Sequence, residues 1–78
     1  MKPKLLHLNK LSIGQNGRVA NLISSGNDRR RMLDLGFVNG TLVEAVQKSP
    51  AGDPTAYFIR GTVIALREED AKKIIIQI

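Results

Sequence analysis

The sequence contains no cysteine and no tryptophan, and it has a single histidine among its 78 residues. Without cysteine, disulfide bonds, thiolate zinc sites and thiol catalysis are excluded, which fits a reducing compartment. The lone histidine, His7, lies near a terminus expected to be loose. Neither a Ser-His-carboxylate set nor a cage of several metal ligands is therefore indicated. We expect no resident cofactor and no metal site made by this chain alone.

Long apolar runs are also absent. The N-terminal segment MKPKLLHLNKL is interrupted by His7, Asn9 and Lys10, so it is too short and too polar for a signal peptide or a membrane span. No phosphate-binding loop is present either, since Gly14 and Gly17 are followed by neither the lysine nor the helix of a Walker motif. These absences predict a soluble cytoplasmic protein, without membrane insertion, that is not an enzyme.

Positive charge is what the sequence has in excess. It contains 12 lysines and arginines against 7 aspartates and glutamates, which gives a net charge of +5 at pH 7. A surplus of this size permits contact with nucleic acid, anionic lipid or an acidic protein surface, and it selects none of them. The hydrophobic share of 42% is ordinary for a globular protein. The length predicts one domain, residues 1–78, with a thin core.

Short β-rich runs separated by turn signals dominate the chain. Apolar alternation and β-branched residues predict five strands, at residues 18–24, 42–49, 55–60, 62–67 and 74–78. Residues 14–17 (GQNG) are typical of a turn, and the acidic-then-basic residues 68–72 predict one helical turn. The pattern indicates a mainly β fold, a small β-barrel of about five strands with one short α-helix and one helical turn.

The α-helix is predicted at residues 28–35. Asn27 is a suitable N-cap, and Gly36 stands where a left-handed residue commonly ends a helix. A helix of about two turns is not stable by itself, so it must lie against the sheet. The residues expected to face inward or to cover the helix end are Met32, Leu33, Leu35 and Phe37.

Two of the predicted strands form a hairpin if Arg60 and Gly61 make a two-residue loop. Ile59 then lies opposite Thr62, and opposed residues share a face. One face carries Tyr57, Ile59, Ile64 and Leu66, and the other carries Ala56, Phe58, Val63 and Ala65. The second face is either covered by the N-terminal segment or the helix, or it is a contact face for a partner or a second copy of the chain. We favour the contact face.

Three consecutive arginines, Arg29, Arg30 and Arg31, lie at the start of the predicted helix. Successive helix residues are about 100° apart, so these side chains fan out and cannot form one flat patch. At least one of the aliphatic stems is expected to cover apolar surface. The block is either a solvated helix face or a contact for an anion or an acidic protein, and the sequence leaves both open.

Three segments, in this order, resemble the FeoA family of ferrous iron transport proteins: RRRMLDLGFVNGT, SPAGDP and RGTVIALREEDAKKIIIQI. The resemblance runs from about Leu8 to the end of the chain and implies an SH3-like β-barrel. Two features depart from the family pattern. Asn39 stands where proline is common, and Ala56 and Phe58 stand where outward-facing polar residues are usual. The second departure supports an exposed apolar patch on the hairpin.

The resemblance implies a small cytoplasmic accessory of ferrous iron uptake. Such a protein binds and modulates the large membrane transporter FeoB, which has a cytosolic GTP-binding domain, and it works at the inner face of the membrane. The implied role is protein binding and not catalysis. The residues themselves allow iron to bind only weakly or through ligands shared with a partner. The partner-binding residues that we predict are Arg29, Arg30, Arg31, Ala56, Phe58 and Val63.

Two other functions stay open as alternatives. SH3-like barrels also bind nucleic acid, but single-strand binding usually pairs a basic groove with several stacking aromatics, and this chain has only Phe37, Tyr57 and Phe58. The other alternative is a metal-responsive regulatory domain, because the same barrel occurs at the C-terminal end of iron-dependent repressors. We rank both below the transporter accessory. A homo-oligomer formed through the apolar hairpin face also stays open.

Overall fold

The computed structural model describes residues 4–78, which form a six-stranded antiparallel sheet and two helices. The strands are β1 (Leu5–His7), β2 (Asn16–Leu22), β3 (Leu42–Lys48), β4 (Thr55–Ile59), β5 (Thr62–Leu66) and β6 (Ile74–Gln77). The helices are α1 (Gly26–Leu35), between β2 and β3, and α2 (Glu68–Ala71), between β5 and β6. A 3-10 helix (Leu8–Lys10) follows β1. The strand order in the sheet is β1-β6-β2-β3-β4-β5.

The mainly β prediction is confirmed, with six strands in place of about five. The missed strand is β1, which pairs with β6. Residues 16 and 17, predicted in a turn, instead begin β2. His7, expected in a loose segment, is held in place, because its Nδ1 donates a hydrogen bond to the carbonyl oxygen of Lys72 over 2.6 Å. Residues 1–3, the start of the segment considered as a signal peptide, lie outside the described residues.

Alternation along the strands directs one side of the sheet into the core. In β4, Thr55, Tyr57 and Ile59 are buried, whereas Phe58 is exposed. The buried apolar residues are Leu8, Leu11, Val19, Leu22, Met32, Phe37, Val43, Ala45, Tyr57, Ile59, Leu66, Ala71, Ile74 and Ile76. Two of the three aromatic residues, Phe37 and Tyr57, are therefore used for packing.

The turn between β4 and β5 has the geometry that the sequence predicts. Arg60 (φ 52°) and Gly61 (φ 81°) both have positive φ. Positive φ at both central positions is typical of a type I′ turn, whose twist matches that of the strands it joins. The strand register runs Ile59–Thr62, Phe58–Val63, Tyr57–Ile64, Ala56–Ala65 and Thr55–Leu66, as predicted. The turn thus determines which hairpin side chains face the core.

Helix α1 begins earlier than predicted and is 10 residues long. Its N-cap is Ser25 and not Asn27, and the Ser25 side chain makes no capping hydrogen bond. The end of the helix agrees with the prediction. Gly36 is left-handed (φ 110°), and the amide of Phe37 donates to the carbonyl oxygen of Met32 over 3.0 Å. Phe37 is fully buried and anchors this end of the helix to the core.

The outermost strands of the sheet are β1 and β5, and within residues 4–78 no strand pairing joins them. The barrel is therefore open between these two strands, and each has one backbone edge without a strand partner. Strand β1 has 3 residues and β5 has 5, so β5 presents the longer edge. In the same part of the chain, no helix is long and apolar enough to cross a membrane.

Replacing Gly36 with alanine should destabilise the fold by roughly 1–3 kcal/mol. Alanine rarely adopts a φ of 110°, and the new Cβ would lie 3.0 Å from Cδ of Arg60. Gly52→Ala is the matched control, because Gly52 also has a positive φ (89°) but nothing within 4 Å of the added atom. Urea unfolding should show the larger loss for Gly36→Ala. Equal losses would mean that the contact with Arg60 contributes nothing.

Candidate partner-binding surfaces

The three arginines of α1 have different surroundings, as their helical spacing predicts. Nη1 of Arg29 donates a hydrogen bond to the carbonyl oxygen of Leu22, at the end of β2, over 3.3 Å. Arg31 forms a salt bridge with Asp70 of α2, with 3.0 Å between Nη2 and Oδ2. Arg30 is exposed, and among residues 4–78 it makes neither a side-chain hydrogen bond nor a salt bridge. Of the three, Arg30 is therefore the one most available to a partner.

The polar contacts of α1 fix the position of the helix on the sheet but add little to the stability of the fold. Arg29 connects it to β2, Arg31 connects it to α2, and Asp28 lies 3.8 Å from Nζ of Lys73. The Arg31 and Asp70 side chains are 56% and 26% exposed, so water and salt weaken their attraction. Each such pair contributes on the order of 0.5 kcal/mol.

The outward face of the β4–β5 hairpin is an exposed apolar patch. This hairpin patch consists of Ala56, Phe58, Val63 and Ala65. Phe58 is 44% exposed and Val63 is 60% exposed, so neither α1 nor the N-terminal segment from residue 4 onward covers them. Glu44 of β3 pairs with Phe58 and places one carboxylate at the border of the patch. The hairpin patch is thus open to contact with another molecule.

A second apolar surface, which the sequence analysis did not identify, lies between α1, β2 and the segment that leads to β3. A groove of about 260 Å³ there is lined by residues that include Arg29, Leu33, Phe37, Val38 and Asn39. Leu33 and Val38 are exposed. Leu33, which was predicted to face inward or to cover the helix end, is exposed instead. Neighbouring helix residues are about 100° apart, so the burial of Met32 turns Leu33 away from the core.

The described residues offer little to the alternative functions. Within residues 4–78, no three histidine, aspartate or glutamate side chains are placed to hold a metal ion. Nδ1 of His7 is occupied by its hydrogen bond to Lys72. Because Phe37 and Tyr57 are buried, Phe58 is the aromatic side chain left to stack on a nucleic-acid base. Single-strand binding ordinarily uses several such side chains.

A small polar cavity, of about 100 Å³, lies where the 3-10 helix, β4 and α2 meet. It is lined by Asn9, Lys48, Gly52, Thr55, Tyr57 and Glu68. Nδ2 of Asn9 donates to Oε1 of Glu68 over 3.3 Å, while the buried Oδ1 of Asn9 accepts no hydrogen bond from the described residues. Burial raises the pKa of the Tyr57 phenol, and a hydrogen bond with Thr55 partly opposes that rise. The negative charges of Asp53 and Glu68 add to it.

Comparison with known protein families matches residues 6–78 to the FeoA domain. The chain belongs to the FeoA family. Among characterised proteins, this FeoA domain is 34% identical over 73 residues to the Fe(2+) transport protein A/Fe(2+) transporter FeoB fusion protein of Porphyromonas gingivalis. The matched region is 94% of this chain but 9% of that protein, so the FeoA domain corresponds to a small part of its relative. The family is thereby associated with ferrous iron transport.

Solved structures of FeoA proteins have the same fold. The solution structure of iron(II) transport protein A from Clostridium thermocellum is 33% identical and superposes with a TM-score of 0.89, over 94% of this chain and 45% of that one. The crystal structure of Stenotrophomonas maltophilia FeoA, complexed with zinc, is 28% identical with a TM-score of 0.79, over 97% and 89%. That protein is described as a prokaryotic SH3 domain protein. The SH3-like barrel predicted for this FeoA domain is therefore confirmed.

The burial of Tyr57 can be measured directly, because this FeoA domain has one tyrosine and no tryptophan. We expect the phenolate absorbance to titrate with a midpoint above the ordinary value of 10.0, since desolvation disfavours the charged form. The contribution of Tyr57 to folding is then complete below pH 10 and is lost as the pH rises through the folded-state pKa.

The control for this titration is the same protein in denaturant, where Tyr57 should titrate at its ordinary pKa. A folded-state midpoint equal to or below the denatured one would contradict the burial of the phenol.

Proposed function

We propose that this FeoA domain is a cytoplasmic accessory of ferrous iron uptake that binds the cytosolic region of a FeoB-type membrane transporter. The observation that carries the proposal is the P. gingivalis relative, in which a region similar to this chain shares one polypeptide with a FeoB transporter. Covalent linkage holds two modules at a high effective concentration. In the relative, fusion keeps the FeoA region next to the FeoB transporter. In the proposal, this separate domain reaches the same position by binding to the transporter.

The exposed surfaces of the domain support a protein partner. The net charge of +5 and the exposed guanidinium of Arg30 favour an acidic surface and accelerate the encounter with it. Phe58 and Val63 of the hairpin patch supply apolar area, and an aromatic side chain near the centre of an interface commonly provides much of the binding energy. Arg29 and Arg31 add positive charge from fixed positions.

Modulation of the transporter requires that the domain bind one of its conformations better than another. No chemical step by this chain is needed, and nucleotide hydrolysis belongs to the partner in this proposal. The S. maltophilia FeoA has been put forward as an activating factor of ferrous iron transport, which is the kind of role that differential binding provides. The domain would act at the inner face of the membrane, where the cytosolic region of the transporter lies.

Arg30→Glu and Phe58→Glu should each weaken binding to the isolated cytosolic region of a FeoB transporter by at least about tenfold, or ~1.4 kcal/mol. The first change reverses the charge of Arg30, and the second places a carboxylate in the hairpin patch. Calorimetric titration at about 0.15 M salt measures both effects, since long-range attraction is partly screened at that concentration.

The matched controls are Lys10→Glu, which makes the same charge change at an exposed position of the 3-10 helix, and Leu5→Glu, which alters an apolar side chain of β1 that is 58% exposed. Both should bind within about twofold of the unaltered domain. Unchanged binding by folded Arg30→Glu and Phe58→Glu would remove the proposed surface. No binding by the unaltered domain would remove the proposed function.

We further propose that the isolated domain does not hold iron with high affinity, because its histidine and carboxylates are not grouped as ligands within residues 4–78. Anaerobic calorimetric titration with Fe²⁺ should give no stoichiometric heat at micromolar protein. A saturable one-to-one signal would instead favour the metal-responsive regulator.

A further inference from the structure

Strand β5 presents backbone groups that have no partner. The two-residue turn makes Ile59 and Thr62 a hydrogen-bonded pair, and antiparallel pairs alternate between hydrogen-bonded and non-hydrogen-bonded. Val63 and Ala65 fall in the non-hydrogen-bonded pairs, so their N–H and C=O groups point away from β4. Among residues 4–78, neither residue joins a second strand or makes another backbone hydrogen bond.

This edge also lacks the features that commonly protect an outer strand from pairing with another chain. The sequence of β5, TVIAL, contains no charge and no proline, and its register with β4 has no bulge. Val63 is exposed, and Ile64 on the core side is only half-buried. The other outer strand, β1, is protected by its length of 3 residues.

We propose that β5 is a self-association strand that pairs antiparallel with β5 of a second copy, across a two-fold axis at Ile64. In this register Val63 lies opposite Ala65 of the second copy, and Ala65 lies opposite Val63. Both outward-pointing residues of each copy then form hydrogen-bonded pairs. If this register shifts by two residues in either direction, Val63 or Ala65 falls opposite a residue that lies beyond the end of β5 in the second copy. The two sheets become continuous across the axis.

The charges at the two ends of β5 match this arrangement. If the strand register is continued past both ends of β5, Arg60 in the turn faces Glu68 of the second copy, at the start of α2. The aliphatic stem of Arg60 lies against Gly36. Among residues 4–78, Arg60 makes no salt bridge, and the Glu68 carboxylate accepts a single 3.3 Å hydrogen bond from Asn9. Arg67 falls opposite Gly61, which has no side chain. Symmetry produces the Arg60–Glu68 contact twice, whereas a parallel arrangement would bring like charges together.

A second copy fits this edge better than an acidic peptide, because the edge carries both signs of charge: Arg60 lies at one end, and Arg67 and Glu68 lie at the other. The proposal does not rest on the transporter contact, and either can fail without the other. The net charge of +5 on each copy opposes association, and one pair of short strands buries little area. We therefore expect a weak dimer, with a Kd on the order of 0.1 mM at about 0.15 M salt.

Sedimentation analysis of the full chain, from about 10 μM to about 1 mM, tests the proposal. The unaltered protein should show a reversible monomer–dimer equilibrium. Val63→Lys, which adds a charge at the edge, and Ala65→Pro, which removes an outward N–H, should raise Kd at least about tenfold. Phe58→Lys is the control, because it changes the hairpin patch on β4 and leaves the β5 edge intact.

Residue-resolved amide exchange gives a second readout that does not depend on any variant. The amide of Ile64 pairs with β4 and should be protected at every concentration. The amides of Val63 and Ala65 should exchange quickly in dilute protein and slow down as the concentration rises. This difference between neighbouring residues identifies the edge that pairs.

A charge exchange tests the register. Arg60→Glu and Glu68→Arg should each raise Kd roughly three- to tenfold, and the double variant should return to within about twofold of the unaltered protein. A protein that stays monomeric to about 1 mM overturns the proposal. So does a dimer that Phe58→Lys abolishes while Val63→Lys and Ala65→Pro leave it unchanged. A dimer that the double variant does not restore overturns this register.

Discussion

The two-residue turn at Arg60 and Gly61 is the constraint on which both the core and the exposed surface depend. Side chains alternate along a strand, so a shift of one residue in this hairpin would exchange its two faces. Tyr57 and Ile59 would leave the core, and Phe58 would enter it. Arg60 extends the constraint to α1, because its side chain lies against the left-handed residue that ends the helix. One short segment thus determines the packing of the hairpin, the end of the helix and the position of the hairpin patch.

The small size of the domain explains why apolar side chains remain outside. A 78-residue chain without disulfides has one thin core, and a single sheet rolled around that core buries one face of each strand. Phe58, Val63, Val38 and Leu42 stay at least 40% exposed as a result. Positive charge keeps such a surface soluble at a modest cost in self-repulsion. Contiguous exposed apolar area of this kind often marks an interaction surface.

Sequence reasoning succeeded where the structure is determined locally. The hairpin register and the helix end at Gly36 are set by a few adjacent residues, and both were predicted. Sequence reasoning failed where a residue or strand forms its contacts with residues that are distant along the chain. Strand β1 is too short to show a periodicity and forms only against β6. The salt bridge between Arg31 and Asp70 spans 39 positions, so no local pattern indicates it. Exposure of the hairpin patch was predictable, but the groove beside Val38 depends on how α1 rests on the sheet.

Val63 connects the two proposed contacts of the hairpin. Its side chain belongs to the hairpin patch, and its backbone forms the open edge of β5. In the proposed pair, both hairpin patches lie on one continuous sheet, with the two Phe58 residues roughly 16 Å apart, across three strand spacings and an offset of two residues along the strands. Partner binding and self-association are then thermodynamically linked. A transporter surface that contacts both hairpin patches at once stabilises the dimer. A transporter surface that binds the backbone of Val63 competes with the second copy and dissociates the dimer. In the proposal, the sign of this linkage determines whether the domain acts on the transporter as a pair or as a single copy.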